Sequence, residues 1–263
     1  VCKLCGCKII TRSNSSPSGW SKNFLKKILY KKILSWADTI MVNSKEFQKE
    51  FKKEFNINAE CIYNPLDKIE IIKKSFFRAK KIFASKKYLK IITVGRFVDQ
   101  KDQITILKSL NLIKNKIDFK FVIIGKGILK EKLLNYIEKN NLKKKITLLN
   151  FKKNPYPYIK QADIFILSSK FEGLPNVLLE AICLKKLIIS SNCPTGPREI
   201  LSNGKGGFLF KTGNYKKLSK IILSLKSKRK HIQQKKIFAH KQLFRFDLND
   251  NLNKYKNLIA KHL

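Results

Sequence analysis

ADIFILSSKFEGLPNVLLEA, residues 162–181, is the stretch that decides the fold expected of this chain. Residues 162–167 form a short apolar run with β-branched members, which is typical of a buried parallel strand. Residues 173–176 have the chemistry of a turn, and Val177 to Lys186 predict a helix. Glu172 therefore follows the carboxyl end of a strand, and Glu180 lies about one turn into the next helix. Strand, turn and helix in this order predict a unit of an α/β fold.

The two glutamates are the candidate ligand-binding groups of this unit. Open α/β sheets bind ligands at the carboxyl ends of their strands, where Glu172 falls, and Glu180 is expected on the helix face that looks back at the same crevice. Carboxylates accept hydrogen bonds from sugar or ribose hydroxyls. The free N–H groups and the dipole of the helix start favour a diphosphate between them. The alternative is that one glutamate caps a helix and the other is a solvated acid on the helix surface. If the two glutamates were the only evidence, this alternative would be favoured.

The whole string from Glu172 to Glu180, with Gly, Pro and Asn in order, resembles the nucleotide-sugar motif of retaining glycosyltransferases of the GT-B fold, glycosyltransferase family 4. The resemblance implies a doubly wound, Rossmann-like donor domain with a parallel sheet, beside a truncated second Rossmann-like domain. It also implies a set of donor-binding residues: Gly95, Phe151, Gly173, Leu174, Pro175, Asn176, Val177 and Glu180.

A second motif, GRFVDQKD at residues 95–102, follows the first strand of the predicted donor domain. Arg96 and Lys101 place two cations over the carboxyl end of that strand, where a diphosphate would sit. The resemblance implies that both contact the diphosphate, with Glu172 on the donor sugar and Glu180 on the ribose. Arg96, Lys101 and Glu172 are thus the expected catalytic residues. No metal is expected, because the two cations neutralise the leaving diphosphate.

Three further segments leave alternatives open. The turn at residues 125–127, Gly-Lys-Gly, either binds the donor or connects strand to helix, and its spacing does not match a dinucleotide fingerprint. Phe151 either meets the nucleobase or belongs to the core. In the loop at residues 193–201, Arg198 is placed to reach a sugar or phosphate, and Glu199 is more typical of a helix-start acid.

Strands alternate with helices along the chain, which predicts three parts. Residues 1–67 are interpreted as the remnant of an acceptor-side domain, 68–240 as the nucleotide-sugar domain and 241–263 as a C-terminal helix that packs back on the first part. The lysine-rich segment from 67 to about 88 is predicted to link the two domains or to cross over between them. The glycine-rich loop and histidine that the family usually carries near the reacting carbon are expected upstream of Val1, since no histidine precedes His231.

The net charge of +39, from 57 Lys plus Arg against 18 Asp plus Glu, raises the question of a nucleic-acid or anionic partner. Arginine dominates base readout and phosphate recognition, and most of these cations are lysines spread over nearly every helix, so nucleic acid is disfavoured. Attraction to anionic lipid headgroups is retained, chiefly for the basic helical tail. No apolar run reaches the roughly 18 residues of a membrane span, which predicts a soluble or peripheral protein.

The cysteines present one further alternative. Cys2 and Cys5 form a CxxC that would supply half a zinc site, but no second pair follows, so small buried residues are the favoured interpretation. Nothing in this pattern demands an oxidising compartment.

The sequence thus predicts a cytoplasmic enzyme, peripheral on the inner face of the plasma membrane. By the resemblance, it transfers a hexose or N-acetylhexosamine from a nucleotide sugar, with UDP favoured, to a lipid-linked or polysaccharide acceptor in cell-envelope glycan synthesis. Two alternatives stay open: a non-catalytic basic module that binds nucleic acid or a membrane surface, and another GT-B enzyme such as an epimerase.

Overall fold

The computed structural model describes residues 5–14, 23–84 and 87–263. The first part of the chain forms a three-stranded parallel sheet in the order β1-β2-β3. Residues 15–19 of the polar loop predicted after the first strand lie outside the described residues. The elements are β1 (Ile10–Ser13), α1 (Phe24–Leu34), β2 (Thr39–Val42), α2 (Lys45–Phe55) and β3 (Glu60–Cys61).

The second unit is built on six parallel strands in the order β6-β5-β4-β7-β8-β9. Its strands are β4 (Leu89–Val94), β5 (Phe119–Gly125), β6 (Ile146–Asn150), β7 (Ile164–Leu167), β8 (Leu187–Ser191) and β9 (Phe208–Phe210). Its helices are α3 (Lys68–Ser75), α4 (Gln103–Asn111), α5 (Lys130–Lys139), α6 (Tyr156–Gln161), α7 (Asn176–Cys183), α8 (Pro197–Ile200) and α9 (Tyr215–Ser224).

Helices cover both faces of the six-stranded sheet, as the doubly wound prediction requires. Successive residues of a strand point to opposite faces, so Ile91 and Ile92 enter different cores. One core lies against α3, α6 and α7, and the other lies against α4, α5 and α9. A strand buried on both sides needs a continuous apolar run, and residues 164–167 supply one. The predicted α/β class with a doubly wound parallel sheet is therefore confirmed.

Helix α2 of the first unit begins directly after a serine. Ser44 caps α2, because its side-chain oxygen accepts a hydrogen bond from the Phe47 N–H at 3.1 Å. Phe47, Phe51 and Phe55 then follow at four-residue spacing, all fully buried in one cluster. Helix α1, by contrast, has no buried residue. Its apolar residues recur at helical spacing, but Phe24, Leu25, Ile28, Leu29 and Ile33 are all exposed.

One segment has more structure than predicted, and one expectation needs correction. Residues 67–88, predicted as a link, contain the helix α3, which Asp67 caps by accepting from the Glu70 N–H at 2.8 Å. Its buried residues Ile71 and Ser75 attach it to the second unit. The favoured interpretation of the N-terminal cysteines is wrong for Cys5 and Cys7, which are exposed, whereas Cys2 lies outside the described residues. Cys183 and Cys193 are buried.

The basic tail continues as α10 (Arg229–Lys241) and α11 (Leu248–Ala260), joined by a 3₁₀ segment, Gln242–Phe246. Helix α11 lies against the first unit. Leu258 is buried with Met41 and Ile62, and Thr39 Oγ1 lies 2.7 Å from the Nε2 of His262. The chain therefore returns to its beginning, although the predicted boundaries at 67 and 240 remain a prediction.

Candidate active site

The strand order places a crevice between β4 and β7. From β4 the chain winds outward through β5 to β6 in one direction, and through β7 and β8 to β9 in the other. Helices connecting the two halves leave on opposite faces, so the carboxyl ends of β4 and β7 open a gap at this switch point. Arg96 follows β4 and Glu172 follows β7, so both sequence motifs arrive at the same crevice.

Lys101 and Glu172 meet in this crevice. The Lys101 Nζ donates to Glu172 Oε1 at 2.5 Å, and the Ser169 hydroxyl donates to the same oxygen at 2.6 Å. The two charged side chains are 17% and 7% exposed, respectively. A carboxylate this deeply buried needs a cation and a hydrogen-bond donor to compensate its lost hydration, and both are present. The structure thus joins two residues that are 71 positions apart.

The segment from Arg96 to Lys101 is held in place by hydrogen bonds to the β7 loop. The Gln100 side-chain N–H donates to the Phe171 carbonyl at 2.9 Å, and the Gln103 amide donates to the Arg96 carbonyl at 2.8 Å. The Ser168 hydroxyl contacts the carbonyls of Lys101 and Asp102 at 2.9 and 2.8 Å. The Arg96 guanidinium is exposed and touches only Gln100, at 3.4 Å, among the described residues. It therefore offers a positive charge at the mouth of a well-anchored loop pair.

The turn at residues 173–176 brings the start of α7 to the same crevice. Within the part of the chain that the structure describes, no side chain caps α7, since its N-cap residue is Pro175. The N–H groups of the first helical turn thus remain donors for an anion, and the helix dipole adds positive potential there. Gly173, Leu174 and Pro175 are buried, whereas Asn176 is exposed and Val177 is half-buried.

Gly173 lies at a close contact between the two units. A Cβ at this position would fall 2.1 Å from the Asn14 carbonyl oxygen and 3.3 Å from the Asn43 side chain. Only a residue without a side chain allows this approach. Asn64, from the loop after β3, donates to Asn176 Oδ1 at 2.6 Å and accepts from Arg12 at 2.6 Å. The donor motif is therefore in direct contact with the first unit.

Glu180 lies in a different environment from Glu172. It is half-buried on α7, and burial raises its pKa to about 7, while a hydrogen bond from Tyr156 lowers the pKa in part. Burial likewise raises the pKa of Tyr156 to about 12, and the charge of Glu180 adds to the effect. No cation among the described residues compensates this carboxylate as Lys101 compensates Glu172. The two glutamates thus form two separate clusters.

Gly125, Lys126 and Phe151 border the crevice on the β5 and β6 side. Gly95 and Gly125 pack backbone to backbone, because a Cβ on Gly125 would lie 2.0 Å from the Gly95 carbonyl oxygen. The ring of Phe151 is 59% exposed and lies 5.4 Å from the Lys126 Nζ. The structure therefore excludes the core alternative for Phe151 and leaves its ring available to a ligand.

Glu199 does not reach the crevice. Its carboxylate accepts from the backbone N–H groups of Lys45 and Glu46 at 3.0 and 2.9 Å and from the Tyr63 hydroxyl at 2.5 Å. It therefore caps α2 of the other unit, in addition to lying in the first turn of α8. Arg198 donates to Asn192 and lies 3.7 Å from Glu46, beside a cavity of about 730 Å³ between the units.

Several functional contacts have no precedent in the sequence interpretation. Ser169 and Gln100 lie within the motifs at residues 162–181 and 95–102, although neither is predicted to contact a ligand. Asn64 and Tyr156 lie outside both motifs. A serine within three residues of a buried glutamate is a usable signal, because short polar side chains often bond locally. Tyr156 and Asn64 are brought in by tertiary packing, so the local sequence gives no indication of them.

Comparisons with known proteins show the family of the chain. The model of the family described as "Glycosyl transferases group 1" matches residues 75–242. The chain therefore belongs to that family. The resemblance drawn from residues 95–102 and 162–181 is confirmed.

Curated relatives match at moderate identity. A glycosyltransferase of Methanocaldococcus jannaschii described as uncharacterized is 32% identical over 197 residues, 72% of this chain and 48% of that protein. The N-acetylgalactosamine-N,N'-diacetylbacillosaminyl-diphospho-undecaprenol 4-alpha-N-acetylgalactosaminyltransferase of Campylobacter jejuni is 32% identical over 194 residues, 73% of this chain and 50% of that protein. The chain thus spans about half the length of these relatives.

Solved structures support the fold. The Anabaena protein HepE in complex with UDP superposes with a TM-score of 0.84 at 16% identity, over 99% of this chain and 74% of that one. A mutant of TarM from Staphylococcus aureus, solved with Fondaparinux, alpha-GlcNAc-glycerol and UDP, gives 0.77 at 19% identity, over 95% of this chain and 50% of that one. The predicted GT-B type fold, with two Rossmann-like sheets, is therefore confirmed. Among the described residues, no helix combines the length and apolarity needed to cross a bilayer.

Proposed function

We propose that the chain is the donor-binding part of a retaining glycosyltransferase that moves a hexose or N-acetylhexosamine from a UDP-sugar to a lipid-linked or polysaccharide acceptor of the cell envelope. The observation that carries the proposal is the Lys101–Glu172 pair at the switch point of the sheet, 2.5 Å apart and nearly excluded from solvent. A buried charge pair beside an uncapped helix start is a costly arrangement for structure alone.

The diphosphate is the group that this crevice fits best. Arg96 is exposed at the mouth, Lys101 lies deeper, and the N–H groups of α7 complete a positive pocket. These donors stabilise the negative charge that develops on the leaving diphosphate as the glycosidic bond breaks. Because the protein supplies this charge itself, we propose that transfer requires no metal ion.

The two carboxylates then bind the two hydroxyl-bearing parts of the donor. Glu172 accepts hydrogen bonds from the sugar hydroxyls, with Lys101 shared between Glu172 and the phosphate oxygen. Glu180 accepts from the ribose hydroxyls, with Tyr156 fixing the orientation of its carboxylate. Phe151 offers an exposed ring to the base. The leaving diphosphate lies on the same face of the sugar as the acceptor oxygen in a retaining transfer, so the first unit must present the acceptor near Gly173.

The acceptor and pathway are inferred from relatives. The Campylobacter relative is named for an undecaprenyl-diphosphate-linked acceptor, and a Staphylococcus aureus relative is named as a capsular polysaccharide biosynthesis glycosyltransferase, 28% identical over 219 residues. The first name specifies a lipid-linked acceptor, and the second specifies a capsular polysaccharide. A lipid-linked acceptor would place the enzyme at the cytoplasmic face of a membrane, as a peripheral protein.

Calorimetric titration of the folded chain with UDP in the presence of EDTA tests the donor site. Binding is expected without added metal, and Lys101→Met or Arg96→Met should weaken it. Lys170→Met is the matched control, because Lys170 is a neighbouring, exposed lysine whose ammonium pairs with Asp99. Undetectable binding at millimolar UDP by a demonstrably folded sample would reject the proposal.

Turnover requires the complete enzyme. There, Glu172→Gln should leave the affinity for free UDP unchanged and lower the rate of transfer from intact UDP-sugar, because its partner is the sugar. A basic binding module without catalysis predicts the opposite pattern: affinity that falls steeply with salt and is insensitive to both glutamates.

A further inference from the structure

Helix α3 carries large apolar side chains on the side that faces away from the core. Ile71 and Ser75 face the second unit and are buried. The residues on the outer side are Ile69, Ile72, Phe76 and Phe77, which are 81, 44, 72 and 56% exposed. We call these four residues the α3 strip.

The strip is fixed on the surface at both ends. Ile69, Ile72 and Phe76 recur at three- and four-residue spacing, so they form one row along the helix. Ser75 and Phe83 are both buried, which anchors the chain before and after the two phenylalanines. The strip is therefore held in a defined position by its buried neighbours. Exposing four large apolar side chains to water is unfavourable, which points to a partner surface.

The charges around the strip are almost all positive. Residues 68–81 contain Lys68, Lys73, Lys74, Arg78, Lys80 and Lys81 against the single acid Glu70. Lys68 pairs with Asp247 and Lys74 pairs with Glu70. Lys73, Arg78, Lys80 and Lys81 are exposed and form no ion pair in the part of the chain that the structure describes. The partner must therefore be both apolar and anionic.

The strip lies alongside α6. The Asn154 side chain, from the loop that also carries Phe151, donates to the Lys74 carbonyl at 3.0 Å. The Lys160 ammonium, at the other end of α6, lies over the Phe76 ring. A partner seated on the strip would thus lie beside α6, with Lys74 at the end nearest the candidate active site.

We propose that the α3 strip and its flanking lysines dock the enzyme on an anionic lipid bilayer. Phenylalanine and isoleucine side chains reach the boundary between headgroups and acyl chains, while lysines beside them contact lipid phosphates. Each lysine near such a surface adds electrostatic attraction, and the aromatic rings add apolar burial that salt does not screen. The inference rests on the proposed function, since a lipid-linked acceptor is presented only at a bilayer.

Flotation of the full chain with vesicles tests the surface. Vesicles of phosphatidylglycerol and phosphatidylcholine should bind it, and vesicles of phosphatidylcholine alone should bind it at least about tenfold less. Phe76→Ser/Phe77→Ser should reduce binding to the anionic vesicles by about tenfold to a hundredfold. The matched control is Phe244→Ser, which removes a ring that is 64% exposed elsewhere and should bind like the parent.

The charges are tested by two triple reversals of equal size. Arg78→Glu/Lys80→Glu/Lys81→Glu should weaken binding several-fold more than Lys226→Glu/Lys228→Glu/Lys230→Glu in the basic tail. Phe77→Trp keeps an aromatic ring at the strip, so it should retain binding and report insertion by a blue shift of its fluorescence.

Three outcomes would overturn the docking surface: parental binding by Phe76→Ser/Phe77→Ser, equal loss in the two triple reversals, or equal binding to neutral vesicles. Conversion of a parental dimer to a monomer by the double variant, without vesicle binding, would instead identify a second copy as the occupant. UDP titration of the same samples separates the two proposals, because strip variants should bind UDP like the parent. Absence of UDP binding by the parent would reject the donor site alone.

Discussion

The cluster at the end of β7 and the cluster on α7 contain the two motif glutamates in opposite electrostatic states. Glu172 is paired with Lys101 and bonded by Ser169 at distances of 2.5 and 2.6 Å. Glu180 is half-buried beside a tyrosine, and burial raises its pKa to about 7. One carboxylate is compensated before any ligand arrives, and the other is compensated only in part.

This difference fits the different tasks that we propose for the two glutamates. A compensated carboxylate is rigid and pre-organised, which suits the positioning of a reacting sugar. A carboxylate near its pKa at neutral pH gains most from new hydrogen-bond donors, because they favour its charged form. Ribose hydroxyls would supply such donors. The following predictions test this division, in order of decreasing effect.

The largest effect is expected from Lys101→Met. Removing the cation leaves Glu172 buried without its ionic partner, which should lower the free energy of unfolding by about 3–5 kcal/mol. Denaturant unfolding with a fluorescence readout measures it. Lys101→Met/Glu172→Leu should recover much of the loss, because the uncompensated charge is gone. Lys170→Met should change stability by less than about 0.5 kcal/mol, as an exposed pair does.

A double variant no more stable than Lys101→Met would show that packing, and not charge, holds this corner together. Parental stability for Lys101→Met would go further. It would mean that the crevice is solvated enough for Glu172 to dispense with its partner.

The second-largest effect is expected on the affinity for UDP. Glu180→Gln should weaken UDP binding by about 1.5–3 kcal/mol at pH 8, the range for hydrogen bonds to a charged group. Glu172→Gln should bind UDP like the parent. Calorimetry at constant ionic strength compares them, with circular dichroism as the check on folding. If the two variants lose equal affinity, the division between sugar and ribose is wrong.

The sequence predicts the fold well because the deciding patterns are local. Residues 164–167 form an apolar run, Ser44 stands at a helix start, and Gly173 to Asn176 form a turn, and each has one structural solution that its neighbours support. The switch point also follows from sequence, since strands that alternate with helices place Arg96 and Glu172 on the same edge of the sheet. The same logic predicted that Lys101 lies near that edge.

The environment of each glutamate is not local, so it was not predicted. Whether Glu180 is compensated depends on Tyr156, which arrives from α6 through helix packing. Glu199 has the sequence features of a helix-start acid, yet it caps a helix of the other unit, 153 residues away. The exposure of Phe24 and Phe76 is equally hidden, because helical spacing shows which residues share a face and not what lies opposite that face.

The third effect is a dependence on pH. The folded pKa of Glu180, about 7, exceeds its ordinary value of 4.5, so its contribution to stability is present below pH 4.5 and is lost as the pH rises through 7. UDP binding should show the opposite trend and strengthen by up to about tenfold between pH 6 and 8, because the ribose hydroxyls favour the ionised form. Binding near neutral pH should also release a proton.

Calorimetry in two buffers of different ionisation enthalpy measures that proton. The phosphates of UDP also bind and release protons, and Glu180→Gln serves as the reference for this contribution. The difference in proton release between parent and variant therefore measures the ionisation of Glu180. Identical pH profiles for the two proteins would show that Glu180 stays ionised in the unliganded state and would remove the contrast with Glu172.

The smallest effect is expected at Phe151, which is part of neither cluster. Stacking of a base on an aromatic ring contributes roughly 1–3 kcal/mol, and a ring that is 59% exposed should give about 1 kcal/mol, the lower end. Phe151→Ala should therefore weaken UDP about fivefold, leave the pH dependence of binding unchanged, and leave stability near the parental value. Titration with inorganic pyrophosphate, which has no base, is the control. It should bind Phe151→Ala and the parent equally. A loss shared by pyrophosphate would place Phe151 at the phosphate end of the crevice, beside Lys126, and not at the base.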